Sequence, residues 1–116
     1  MQTNNAYVPA IYNTGIVRGD YYSEVFTFTA EGEALSLENA TMRVQVRDRS
    51  GRLLDEFTQD DGLTVDGNEV NWVIASATTA EYTPDTYIYD WEITTSDQTR
   101  TYVAGTFQVL KDITYA

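Results

Sequence analysis

The sequence predicts an all-β protein, two antiparallel sheets packed on one another from about seven or eight strands. Three observations predict it. Apolar and polar residues alternate with a period of two in several stretches. Polar turn clusters recur about every ten residues. No stretch carries a helical period over a useful length.

The elements follow in order. Residues 1–14 mix Tyr7, Val8, Ile11 and Tyr12 with asparagines, a first edge strand or an arm that docks on a neighbour. Gly15 and Gly19-Asp20 punctuate the chain. From Tyr21 to Thr29, Tyr22, Phe26 and Phe28 share one parity, with Glu24 the exception, so one face of a strand is buried. Glu31-Gly32-Glu33 is a turn, and Leu35 and Leu37 anchor a crossing between sheets. From Thr41 to Asp48 the alternation is cleanest: Met42, Val44 and Val46 face one way, Arg43, Gln45 and Arg47 the other. Arg49-Ser50-Gly51 reverses the chain, and Leu54 and Phe57 supply core contacts on the return. Asp60-Asp61-Gly62 and Asp66-Gly67-Asn68 read as turns around a short strand, and Val70, Trp72 and Ile74 share the inner face of the next. Ser76 to Tyr82 is the only helical hint, with Ser76 able to cap a turn and Pro84 closing it.

The last third is the most telling. Pro84 pushes Thr83 toward extended geometry, so a corner precedes Thr86-Tyr87-Ile88-Tyr89-Asp90-Trp91-Glu92-Ile93. A polar turn at Ser96-Asp97-Gln98 leads to a final strand in which Val103, Gly105, Phe107 and Val109 share a parity. There the glycine leaves room for a bulky neighbour or marks a bulge. Tyr87 stands where a tyrosine corner belongs, just after a short helical turn, and Tyr89 fills the core where antibody domains place a cysteine. The expectation is an immunoglobulin-like antiparallel β-sandwich, with a jelly-roll-like sandwich as the alternative, in a single domain spanning residues 1–116.

The order Pro84-x-x-Tyr87-x-Tyr89-Asp90-Trp91-x-Ile93, a polar turn, Gly105-x-Phe107-x-Val109, then Asp112-Ile113-Thr114 resembles a small bacteriophage virion domain. Gly19-Asp20-Tyr21-Tyr22, Leu35 to Ala40, and Val44 to Asp48 with its Gly51 turn extend the resemblance. Related β domains form the N-terminal part of some phage baseplate upper proteins, and others stand alone among head and tail genes. Two positions depart from that pattern. Asp85-Thr86 stands where such domains usually have a glycine, and Tyr115-Ala116 follows the threonine where a basic residue often does. The resemblance implies a multi-copy capsid accessory subunit or a tail or baseplate connector, made in the host cytoplasm and located in the virion. Its partners would be other virion proteins and further copies of itself, with no cofactor.

Composition narrows the chemistry. There is no cysteine, hence no disulfide framework or thiolate metal site, and no histidine, the commonest general base. The N-terminal residues lack the pattern of a secretory signal, and no apolar run reaches membrane-span length. Seven basic against eighteen acidic residues give a net charge of -11, which repels nucleic acid and keeps free subunits soluble. The acidity is uneven, -3 over residues 1–58 and -8 over residues 59–116. Asp60, Asp61, Asp66 and Glu69 do not match a calcium-loop spacing and read as solvated turns. Asp90 and Glu92, two residues apart on one strand, point to cross-strand arginines rather than to a glycosidase pair. With no histidine to activate a serine or threonine, no phosphate loop and a single lysine, Lys111, the sequence predicts no enzymatic activity, catalytic residue or metal site.

Two groups of residues point to contacts. Arg43, Arg47, Arg49 and Arg52 gather on one hairpin of an acidic molecule. They form either a docking patch for an acidic neighbour or intramolecular pairs with Asp55, Glu56 or Asp90. Tyr7, Tyr12, Tyr21 and Tyr115 lie near the ends or off the core parity, as expected of terminal arms that order on assembly. The alternative class, a carbohydrate- or receptor-binding module, needs exposed aromatics, and both Trp72 and Trp91 fall on core-facing parities.

Overall fold

A computed structural model describes residues 8–30, 32–96 and 98–114. Within them the alternating stretches form strands: β1 (Ala10–Ile11), β2 (Thr14–Val17), β3 (Tyr22–Thr27), β4 (Thr29–Ala30), β5 (Glu33–Ala34), β6 (Thr41–Arg47), β7 (Leu53–Gln59), β8 (Gly62–Asp66), β9 (Glu69–Ile74), β10 (Asp85–Thr95) and β11 (Gln98–Leu110). One short helix, α1 (Ser76–Thr79), joins β9 to the corner before β10. The protein is all-β. Its additional strands beyond the expected seven or eight are mostly short pieces, β1, β4 and β5 being two residues each.

Nine strands make one sheet in the order β1-β11-β10-β6-β7-β8-β9-β3, with β2 also paired to β11. β4 and β5 form a separate hairpin. The sheet curls until its two ends face each other. Trp72 on β9 lies 6.0 Å from Trp91 and 5.5 Å from Tyr89, both on β10. It also lies 5.5 Å from Phe107 on β11 and 5.4 Å from Phe57 on β7. Phe26 on β3 reaches Trp91 at 4.8 Å. Tilted and edge-on ring pairs of this kind each contribute about 0.5–1.5 kcal/mol beyond the area they bury. Neither indole N–H finds an acceptor among the described residues, so the two tryptophans act here through packing alone.

The period of two explains which residues are inside. Met42, Val44 and Val46 of β6, Tyr87, Tyr89, Trp91 and Ile93 of β10, and Val70, Trp72 and Ile74 of β9 are all buried. Glu24 shares the parity of Tyr22 and Phe26 yet stays half-buried at the sheet end. Leu37 is buried and Leu35 packs on the core beside it, at the crossing from β5 to β6. At the corner before β10, the Tyr87 hydroxyl donates to the Thr83 carbonyl.

Three expectations are corrected. The pairing is mixed, because β1 and β2 both run parallel to β11. The chain enters beside its own last strand and leaves in the same direction, which no local pattern encodes. Asp60-Asp61-Gly62 is a strand switch rather than a hairpin turn. Left-handed Asp60 (φ 66°) and Gly62 (φ 100°) kink the chain, which continues as β8 with Thr58 opposite Gly62 in parallel register. A Cβ on Gly62 would stand 2.7 Å from the Phe57 ring, so glycine is required there for space as well as for backbone angle. Lastly, Ser76 does not cap α1; Ala75 holds that position without a side-chain hydrogen bond. The turn is tied down by Thr79 instead. Its fully buried hydroxyl donates to the Asp20 carbonyl (2.7 Å) and accepts from the Gly19 amide (3.1 Å).

Candidate functional site

The register of β6, β7, β10 and β11 builds a continuous outward face. Residues opposite each other on neighbouring strands fall into rows across it. One row is Leu53, Arg47, Ile88 and Thr106. The next is Glu56, Gln45, Asp90 and Ala104, extended by Ile11 of β1. A third is Thr58, Arg43, Glu92 and Thr101. These rows exist because the odd residues of β6 and the even residues of β10 alternate with core positions, and antiparallel pairing brings the two outward sets side by side.

The polar groups of the face are mutually ordered. Arg43 lies between Glu56 and Glu92, 3.7 Å from each carboxylate. Gln45 Nε2 donates to Glu56 (2.7 Å), and Gln45 Oε1 accepts from Arg47 Nη2 (2.8 Å). Arg47 Nη1 donates to the Gly51 carbonyl (2.8 Å), fixing the side chain along the hairpin. Exposed pairs of this type are each worth at most about 1 kcal/mol, so they position side chains more than they hold the fold. Beside them, Ile88 is 50% exposed and Leu53 43% exposed. Asp90 sits in a shallow groove lined by Gln45, Arg47, Ile88, Tyr89, Ala104 and Gly105. Partial desolvation there raises its carboxyl above the ordinary range; Glu92 adds to the rise and Arg47 opposes it.

At the hairpin tip, Asp48 accepts hydrogen bonds from the Ser50 hydroxyl (2.7 Å), the Ser50 amide (2.9 Å) and the Arg52 amide (2.9 Å). The Ser50 hydroxyl, foremost among these, holds the Asp48 carboxyl below its ordinary range. Arg49 and Arg52 project from this tip, exposed and with no ion pair among the described residues. The four arginines thus divide: Arg43 and Arg47 are built into the sheet face, Arg49 and Arg52 are exposed at its end. Arg43 takes Glu56 and Glu92, whereas Asp55 accepts the Tyr82 hydroxyl (2.6 Å) and leaves the arginines alone. Burial, more than that bond, drives the Tyr82 hydroxyl upward.

Tyr12 lies apart from this face. It is 42% exposed, with its ring edge-on to Phe26 at 5.5 Å, and it closes the seam between the N-terminal strand and β3. Its backbone is part of the sheet: the amide donates to Ala104, and the carbonyl accepts the Tyr89 hydroxyl. Tyr7 and Tyr115 lie outside the described residues. Ile88 and Leu53 join the face although the sequence analysis does not single them out. Ile88 gave a usable signal, a large apolar residue at the polar parity between Tyr87 and Tyr89. Leu53 gave none, because a register shift between Val46 and Arg47 turns it outward.

Asp55, Glu56, Asp60 and Asp61 line a second groove with Ala75 and Thr78. Among the described residues, no group of three or more acidic side chains is placed to hold a metal ion. No helix there is long and apolar enough to cross a membrane.

No family model matches this chain, and no curated protein matches it. Solved structures similar to it include CopC from Methylosinus trichosporium OB3b, at 14% identity and TM-score 0.42, covering 65% of this chain and 67% of that one. A family 123 glycoside hydrolase from Clostridium perfringens is similar at 14% identity and TM-score 0.39. That likeness covers 89% of this chain but only 23% of the hydrolase.

Proposed function

We propose that this chain is an immunoglobulin-like β-sandwich that serves as a structural protein of a bacteriophage virion, acting through protein–protein contacts. The strand order supports the fold reading. The run β11-β10-β6-β7 corresponds to strands G, F, C and C′ of such a domain, and β3-β9-β8 to strands B, E and D. The Tyr87–Thr83 bond supplies its tyrosine corner, and Phe26 of β3 against Trp91 of β10 bridges the two strands that a disulfide joins in antibody domains.

The observation that carries the functional reading is the outward sheet face. It holds Ile88 and Leu53 exposed among ordered arginines and carboxylates, a mixed apolar and charged surface suited to another protein surface rather than to a small molecule. The resemblance of the residue pattern to small virion domains supports the same role, as a capsid accessory subunit or as a tail or baseplate connector. A glycan-binding role would require an aromatic platform; both tryptophans are fully buried, and the rows of the outward face hold no aromatic side chain.

Mass spectrometry of purified virions, with copy number per particle, tests the reading. Many copies place the protein on the capsid; a handful place it in the tail or baseplate. Absence from particles, together with glycan binding by a monomer, overturns it.

A further inference from the structure

Resting on the reading of the chain as an assembling structural protein, we propose that the β6–β10 face is a twofold interface between two copies of this chain. The argument is electrostatic. The chain carries a net charge of -11, so most approaches of one copy to another are repulsive. On the face formed by β7, β6, β10 and their hairpin tip this repulsion is offset. Arg43, Arg47, Arg49 and Arg52 there are matched by Asp48, Glu56, Asp90 and Glu92. It is also where Ile88 and Leu53 stand exposed.

The charges are sorted by strand. β6 presents Arg43, Gln45 and Arg47; β10 presents Glu92, Asp90 and Ile88, in matching rows. Two such sheets pack face to face with strands within about 30° of alignment. A twofold axis parallel to the strands, between β6 and β10, lays each β6 over the partner's β10 and keeps the rows in step. Arg43 of each copy then meets Glu92 of the other, Gln45 meets Asp90, and the aliphatic stem of Arg47 lies on Ile88. Leu53 falls at the rim above Thr106. An axis perpendicular to the strands instead lays β6 on β6 and Asp90 on Asp90, setting like charges together. The sequence of the face therefore selects one self-complementary arrangement. Four strands about 4.8 Å apart and about 20 Å long give an area at the small end of specific interfaces, so the association is weak in isolation and reinforced by assembly.

Charge exchange tests it. Arg43→Glu and Glu92→Arg each place like charges across the interface in a homodimer, and an equimolar mixture of the two restores both pairs in a heterodimer. Sedimentation equilibrium should show wild-type dimers at about 100 µM and dissociation constants raised about tenfold or more in each variant. It should also show recovery in the mixture. Mixing chains cannot repair the Arg43–Glu92 pair within one chain, so recovery reports the contact between copies. The doubly exchanged chain, R43E with E92R, should dimerise as wild type does and covers any single variant that fails to fold. A wild type that remains monomeric, single variants that dimerise as well as wild type, or folded variants that do not recover on mixing each overturn the interface. Protein found in virions while these tests fail removes the interface and leaves the virion reading; a confirmed dimer absent from particles does the reverse.

Discussion

Gly105 shows how much one missing side chain controls. A Cβ there would sit 2.2 Å from the Tyr12 carbonyl oxygen and 2.8 Å from its carbon. The glycine lets the N-terminal strand press against β11, and the gap in the β11 parity is filled by main chain rather than by a bulky side chain. Two further bonds use the same approach: the Tyr89 hydroxyl donates to Tyr12, and Asn13 Oδ1 accepts the Thr106 amide where the parallel ladder breaks between β1 and β2. Gly105→Ala should therefore lift this strand, costing about 1–3 kcal/mol by overpacking. Denaturant unfolding would show the loss, and hydrogen exchange would place it in the Thr14–Val17 amides while β6 and β10 keep their protection. Tyr89→Phe keeps the ring against Trp72 and removes one donor to Tyr12. It should cost about 1 kcal/mol in the same unfolding assay, with the m-value unchanged.

Regular strands were legible in the sequence where one face is buried and the other wet. β6 is the clearest: its alternation named both the core residues and the outward arginines, since a side-chain period of two is local. What brings Arg43 beside Glu92 is register between strands far apart in sequence, which no single stretch encodes. The bulge that turns Leu53 outward and the parallel docking of β1 and β2 on β11 were hidden for the same reason. The switch at residues 60–62 looks like a turn in the sequence because Asp-Asp-Gly serves both purposes; the direction of the exit depends on the left-handed Asp60 and on contact with Phe57. Helix α1 is legible only as a break, and its anchor is tertiary. Thr79 is fully buried and holds both the Gly19 amide and the Asp20 carbonyl, 60 and 59 residues earlier. Thr79→Val preserves the shape and leaves both groups without that hydroxyl. Equilibrium unfolding should record a loss of about 1–3 kcal/mol, against a few tenths for the exposed neighbour Thr78→Val.

The whole molecule balances strong acidity against local order, and its pH profile should separate the two. Net charge of -11 with a pI near 4.1 means self-repulsion that grows as carboxylates ionise. Asp90 adds a local contribution of the same sign. Its carboxyl is raised by desolvation first, then by Glu92, so the folded state holds that proton more tightly than the unfolded chain does. Its stabilising share is thus fully present below the unfolded value and is lost as pH rises through the folded one. Asp48 works oppositely: hydrogen bonds lower its value, and its share is lost as pH falls through that lowered value. The melting temperature should therefore rise as pH falls from about 7.5 into the carboxylate range, before Asp48 protonates in stronger acid. Salt distinguishes the causes. About 0.5 M salt screens repulsion between exposed carboxylates but leaves the desolvation of Asp90 largely in place. Asp90→Asn should then melt higher than wild type at about pH 7.5 in both low and high salt, and lose that advantage in acid, where the wild-type carboxyl is already neutral. An Asp90→Asn gain that vanishes in high salt would assign the effect to surface repulsion and remove desolvation as its cause.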